Sequence, residues 1–305
     1  MRKFVADNEL ESMNTAEYPK SDALDMLDHA DNKLRVAILD LYDGVANQGM
    51  RCIKEILTRY GVENCIEVEV NIFEVRGKCQ IPDLNFDVYI STGGPGSPID
   101  SREAPWDIAW CSFMDSIFEY NKNPKNQKKH IFLICHSFQL FCRHLHLGLV
   151  SKRKSPTFGT FPVFLTEDGK SDQITGNVAD PFYVVDSRDW QVTLANEDRF
   201  KEVGAKLLAI EKDRPHVPLE RAVMAIRFSP EIIGTQFHPE ADPFGMSIWM
   251  QTDTKKAEII ENHSESKYFD MLLHLNDPDK ILLTQRMFIP IFLDEAVARL
   301  NLVDC

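Results

Sequence analysis

The stretch Ile131-Phe-Leu-Ile-Cys-His-Ser-Phe-Gln139 decides how this chain is read. Four apolar residues lead into a cysteine, and the sequence after it suits a helix that starts near Ser137. A buried strand would therefore deliver Cys135 to a sharp strand-to-helix turn. Amides at a helix N-terminus carry partial positive charge, so a thiol held there is drawn toward thiolate, the form that attacks carbonyl carbon. A cysteine closing a strand can equally be plain core, because free Cys is among the most buried residue types. The stretches on either side bear on the choice.

Toward the N-terminus, Arg35-Val-Ala-Ile-Leu-Asp-Leu-Tyr42 is the continuous apolar run of a strand buried on both faces. A loop with Gly44 and Gly49 comes next, then Met50, Ile53, Leu57 and Tyr60 at helical spacing, with Gly61 as the expected C-cap. Ile66, Val68, Val70 and Ile72 alternate as a strand does. Strand, helix, strand is a βαβ unit and predicts a parallel sheet with right-handed crossovers. A further strand, Phe86 to Ile90, runs into Ser91-Thr-Gly-Gly-Pro-Gly-Ser-Pro98. That rigid loop lets backbone approach a ligand and can hold exposed N–H groups for an oxyanion or carboxylate; it can also be an ordinary tight turn. It lacks the Lys-Ser/Thr of a P-loop. Trp106, Trp110, Phe113 and Ile117 then mark an amphipathic helix.

Toward the C-terminus, strand-like segments at Phe161 to Leu165, Phe182 to Val185, Gln191 to Leu194, Lys206 to Glu211 and Ala222 to Phe228 suggest an antiparallel or mixed extension of the sheet. The last strand, Ile232 to Phe237, ends on His238-Pro-Glu240. The Gly-Pro loop, Cys135 and His238 each come directly after an apolar strand, and ligands bind parallel sheets at the carboxyl ends of strands. His238 and Glu240 share a face if extended, so the carboxylate can fix the imidazole tautomer while the other ring nitrogen serves the thiol. Taken alone, His-Pro-Glu also suits a surface turn.

Gly93-Gly-Pro-Gly-Ser97, Cys135 with Gln139 four residues on, and Gln236-Phe-His-Pro-Glu240 closely resemble the class I glutamine amidotransferases, the type exemplified by the amidotransferase domain of GMP synthase. The resemblance spans about Arg35 to Ala241, and the motifs are specific jointly rather than singly. It implies an α/β fold with a mostly parallel open sheet flanked by helices around a flavodoxin-like core. It implies Cys135 as nucleophile, His238 as general base and acid, Glu240 as its orienting partner, and the N–H groups of Gly94 and His136 as oxyanion hole. Gly96 and Gln139 would help bind glutamine. The reaction would release ammonia through a γ-glutamyl thioester, with no metal or organic cofactor.

The chain departs from the family pattern in two places. The family elbow usually has glycine two residues before and after the cysteine, where this chain has Leu133 and Ser137. Many members carry Ser-His-x-Asp near the substrate α-carboxylate; here the stretch is Ser187-Arg-Asp-Trp190, in which Arg188 could take a carboxylate bidentately or simply lie exposed on a loop. The Cys135-His136 pair also resembles the PfpI-like cysteine hydrolases of the same core, and a non-catalytic ligand-binding or regulatory protein on this fold is a further alternative. His144, His146 and Cys142 do not make a metal site, because two histidines two apart splay on a helix.

The remaining chain sets limits on partners. At 305 residues and 44% hydrophobic composition, the length suits a substantial core. The expected division is an acidic extension over 1–33, an amidotransferase-like domain over 34–241, and a helical extension over 242–305 that packs on the core. No run reaches the ~18 apolar residues of a membrane span, and the N-terminus lacks a signal-peptide core. Seven scattered cysteines without a CxxC pair suggest a reducing cytoplasm and no disulfide framework. A net charge of −13 disfavours nucleic acid, and the clusters Lys125 to Lys129 and Lys152 to Lys154 read as solvated loops. The tail is too short for a synthase domain. The expected partners are therefore glutamine or a γ-glutamyl compound and, for ammonia transfer, a separate synthase subunit.

Overall fold

A computed structural model describes residues 32–300 apart from 46, 217, 263 and 276; the acidic stretch before Asn32 lies outside the described residues. In chain order the elements are β1 (Lys33–Asp40), α1 (Gln48–Glu63), β2 (Glu67–Glu74), α2 (Val75–Lys78), β3 (Val88–Ser91), α3 (Pro105–Lys122), β4 (His130–Ile134), α4 (His136–His144) and β5 (Leu149–Leu165). Next come α5 (Glu167–Ser171), β6 (Phe182–Thr193), α6 (Glu197–Val203), β7 (Lys206–Glu211), β8 (Val223–Ser229) and β9 (Ile232–Thr235). The tail forms α7 (Pro243–Met250), α8 (Asp253–Asn262), α9 (Glu265–Leu275) and α10 (Leu283–Leu300).

Nine strands among the described residues make one sheet in the order β2-β1-β3-β4-β9-β8-β7-β5-β6. The half from β2 to β9 is parallel throughout, and every pairing from β9 to β6 is antiparallel. Strands β1, β3, β4 and β9 are largely apolar because helices cover both faces, whereas β2 at the sheet edge stays half-exposed. Alternation along them sorts the core. Leu34, Val36, Ile38, Val88, Ile90, Phe132 and Ile134 face α1 and α10, meeting Ile53, Leu57, Phe288 and Phe292. Leu39, Tyr89, Ile131 and Leu133 face the other way, toward Trp110 and Met114 of α3 and Phe138 and Phe141 of α4. A buried ion pair, Arg143 Nη1 to Asp107 Oδ2 at 3.0 Å, ties α4 to α3.

Some local expectations need correcting. Helix α1 does not stop at Gly61 but runs to Glu63 with Asn64 as C-cap. Glycine is needed at 61 because a Cβ there would lie 2.8 Å from Ile66 O and 2.9 Å from Val68 Cγ2, where β2 crosses the helix. Lys152 to Lys154 are not loop: they lie in β5, and Arg153 Nη1 donates to Gln191 Oε1 of β6 at 2.8 Å. Cys65 is disulfide-bonded, where the scattered spacing suggested free thiols; Cys52, Cys79, Cys111, Cys135 and Cys142 are free. Among the described residues no helix is long and apolar enough to cross a membrane.

Candidate active site

The carboxyl ends of β1, β3, β4 and β9 lie side by side, and the segments leaving them face one cleft of about 590 Å³. Cys135 stands at φ 48°, ψ −93°, outside the regions a side-chain-bearing residue normally occupies. Its neighbours hold it there. The Cys135 amide donates to Thr235 O of β9 at 2.8 Å, and Cys135 O accepts the first bond of α4 from Gln139 N at 3.0 Å. Ser137 Oγ accepts from Ile134 N at 2.9 Å and donates to Ser91 O at 2.7 Å, bracing the elbow against β3. A small hydroxyl thus does locally what an unsubstituted backbone could not.

The Gly-Pro loop is fixed from β1. Thr92 Oγ1 accepts from Leu41 N at 2.9 Å and donates to Gly93 O at 2.9 Å. A Cβ on Gly94 would lie 2.3 Å from Leu41 O, and Gly96 has φ 89°, so both positions require glycine. Arg76 Nη1 donates to Pro95 O at 2.5 Å, while its guanidinium lies 5.1 Å from the Trp106 ring centroid. Gly94 and His136, on adjacent strand ends, both line the cleft. Burial pushes the His136 imidazole down to about 3, aided by the Arg76 charge, so this ring is neutral.

His238 and Glu240 complete the floor. His238 N donates to Val185 O at 2.8 Å, so β6 holds the segment after β9. His238 Nδ1 lies 2.8 Å from Glu240 Oε1, and the carboxylate is 1% exposed. Gly93 separates the imidazole from Cys135: a Cβ there would be 3.0 Å from His238 Cε1 and 3.7 Å from Cys135 Cβ. Cys135, His238 and Glu240 all line the one cleft. Burial pulls the His238 pKa down, but the Glu240 carboxylate and the Cys135 sulfur outweigh it and hold the ring well above its ordinary 6.5.

Gln139, Gly96, Ser187 and Arg188 line the same cleft. Gln139 Nε2 donates to Trp190 O at 3.1 Å, and Cys135 Sγ lies 3.8 Å from both Ser187 O and Gln236 Nε2. Arg188 is not exposed on a loop, and most of its guanidinium is already engaged within the protein. Its side chain is 1% exposed, Nε donates to both Asp186 oxygens at 2.8 and 3.0 Å, and Nη2 lies 3.6 Å from Glu211. The protein's own carboxylates take the fork.

Sequence reasoning missed several residues here. Tyr42 lies against the buried carboxylate: a Cβ on Gly49 would fall 2.1 Å from Tyr42 Oη and 3.1 Å from Glu240 Oε1, so Gly49 makes the room. The sequence pattern puts this glycine in a loop with no sign of what it faces, whereas it lies in the first turn of α1. Cys52 also lines the cleft, but burial and the nearby Asp242 raise its thiol to about 12, which leaves it inert as a nucleophile. Phe158 from β5 and Met246, Trp249, Lys255 and Glu258 from the tail form an outer wall. Among the described residues no three His, Cys, Asp or Glu side chains gather as a metal site, and His144 Nε2 is instead 2.7 Å from Asp115.

The fold is that of known amidotransferase structures. A glutamine amidotransferase from Thermotoga maritima superposes with a TM-score of 0.63 at 14% identity, covering 87% of this chain and 98% of that one. A glutamine amido transferase from Methylobacillus flagellatus gives 0.57 at 13% identity over 88% and 94%. The glutaminase domain of Trypanosoma brucei CTPS, solved with bound acivicin, gives 0.52 at 14% over 71% and 92%. No curated protein matches the chain. The family model described as "Glutamine amidotransferase class-I" matches residues 39–249, and the chain belongs to that family.

Proposed function

We propose that the cleft hydrolyses the side-chain amide of glutamine, or the corresponding amide of a γ-glutamyl compound, through Cys135, His238 and Glu240. What supports this reading is His238 Nδ1 lying 2.8 Å from the buried Glu240 carboxylate in the same cleft that Cys135 lines. Glu240 accepts from Nδ1–H and fixes the tautomer, so the other nitrogen is left for the reacting groups. The sulfur of Cys135 attacks the γ-carbonyl carbon. Charge developing on the carbonyl oxygen is met by the N–H groups of Gly94 and His136, which the rigid loop and the helix start hold in place before reaction. His238 gives its proton to the departing nitrogen, the C–N bond breaks, and a γ-glutamyl thioester remains. Water, deprotonated by the now neutral His238, attacks the thioester; glutamate leaves and the thiol is restored.

Gly96, Gln139 and Ser187 contact the γ-glutamyl part in this reading. Arg188 acts indirectly, by holding β6 through Asp186. The reaction needs no metal or organic cofactor. The ammonia goes to a separate synthase subunit or is released, and the nucleophilic thiol of Cys135 must stay reduced for the reaction. The test is glutamate release from glutamine and from γ-glutamyl amides. Wild-type protein should release it and Cys135→Ala should not; turnover that survives the substitution would refute the mechanism.

A further inference from the structure

If ammonia were the only leaving group, the cleft would need no room beyond the γ-amide nitrogen. The cleft is larger than that, and its lining runs from His238 through Ala241 and Asp242 to Met246 and Trp249. From Glu240 the chain passes through Ala241 and Asp242 straight into α7, so the tail builds the wall on the imidazole's side. A general acid must come within about 2.6–3.2 Å of the nitrogen it protonates. Whatever that nitrogen carries therefore sits in this outer lobe.

The lobe is aromatic. Phe158 and Trp249 meet edge to face with centroids 4.6 Å apart, and Met246 packs in the same cluster as Phe158. Trp249 is 38% exposed, a large ring left open at the wall of a cleft. The charges around it already have partners. Lys255 Nζ lies 4.6 and 4.5 Å from the two ring centroids and is held by both Glu258 oxygens at 2.9 Å. Asp242 is bound by Arg51 Nη2 at 2.7 Å. Phe158 and Met246 are themselves 6% and 9% exposed, so the open apolar surface a ligand would meet here is that of Trp249, backed by those two and edged by the neutralised Lys255–Glu258 pair.

Resting on the hydrolase reading above, we propose that the preferred substrate is a γ-glutamyl amide of a bulky apolar or aromatic amine, whose amine portion occupies the lobe of Phe158, Met246 and Trp249. The balance is that of amide hydrolysis. The γ-carbon to nitrogen bond breaks, the amine leaves with the His238 proton, and water supplies the oxygen and proton that yield glutamate and restore the enzyme.

The experiment gives the full-length protein glutamine, γ-glutamylallylamide and γ-glutamylbenzylamide, whose leaving amines, allylamine and benzylamine, have similar basicity, and measures glutamate release. The kcat/KM for the benzylamide should exceed that for the allylamide by about tenfold or more, the scale on which an apolar pocket discriminates. Trp249→Ala should collapse that ratio, and Trp249→Phe should keep most of it. Cys135-dependent release with a wild-type benzyl to allyl ratio near one would overturn the lobe and leave the hydrolase reading standing. Absence of Cys135-dependent release from all three would end both. The wild-type ratio decides even if the alanine variant does not fold.

Discussion

Leu133 and Gly234 lie directly opposite each other in the adjacent parallel strands β4 and β9, and Ser91 flanks Leu133 on the other side. The leucine that replaces an elbow glycine is fully buried because its neighbours are small. A Cβ at 234 would stand 3.1 Å from Leu133 Cβ, 3.0 Å from Phe138 Cδ2 and 3.0 Å from Phe228 Cε2. The space given up at 234 is the space Leu133 and the first turn of α4 use. Gly234→Ala should therefore cost about 1–3 kcal/mol by overpacking, read as a lowered urea midpoint, and should slow turnover through a displaced elbow. An unchanged midpoint would show that Leu133 finds its room elsewhere.

A second close approach separates the reacting groups. Gly93 lies between the His238 ring and the Cys135 Cβ, and a methyl there would touch His238 Cε1 at 3.0 Å. Gly93→Ala should push the imidazole off line from the sulfur. Misplacement on the ångström scale costs about a hundredfold in rate, so kcat for γ-glutamyl hydrolysis should fall by that order while thermal stability moves little. A kcat within about twofold of wild type would mean the ring has slack the packing does not suggest.

How far the sequence reveals this site depends on what each signal encodes. Strand-end placement was legible at Gly93, Cys135 and His238, because an apolar run leading into a turn motif records both burial and chain direction. The antiparallel side was read only in part. β5 extends from Leu149 through charged Lys152, Arg153 and Lys154, whose pairing with β6 is a long-range fact that local pattern does not carry. The tail's apolar residues announced helices with a buried face, but not that Met246, Met250, Tyr268 and Met271 would gather around Phe158 and Val185. Periodicity says that a face is covered and leaves open by what. Arg188 misled for a different reason: its carboxylate partner, Asp186, lies two residues back on the same strand and so on the same face, a local signal that the expected exposed loop concealed.

That pair makes a stability prediction. Arg188 is buried with Asp186 as its hydrogen-bonded counter-ion, and Nη1 has no hydrogen-bond partner among the described residues. Asp186→Asn leaves a buried guanidinium with only Glu211, at 3.6 Å, to answer its charge. Breaking one side of a buried pair costs about 3–5 kcal/mol, whereas replacing an ion pair by apolar groups costs little. Asp186→Asn should therefore lower the urea midpoint more than the double variant Asp186→Leu with Arg188→Met. The opposite order would place the worth of Arg188 in ligand binding rather than in the sheet.

The proton on His238 links the site to global stability. Burial opposes the charged ring, yet the Glu240 carboxylate and the Cys135 sulfur hold its folded-state pKa well above 6.5. The folded protein thus binds this proton more tightly than the unfolded chain does. The resulting stabilisation is complete below about pH 6.5 and is lost as pH rises through the folded value. Glu240→Gln removes the largest of the influences that raise it. Unfolding free energies measured in urea from about pH 6 to 9 should fall with pH more steeply for the wild type than for Glu240→Gln. The gap between the two proteins should be widest at the acid end of that range. Parallel slopes would mean that the carboxylate 2.8 Å from Nδ1 orients the ring without holding its charge.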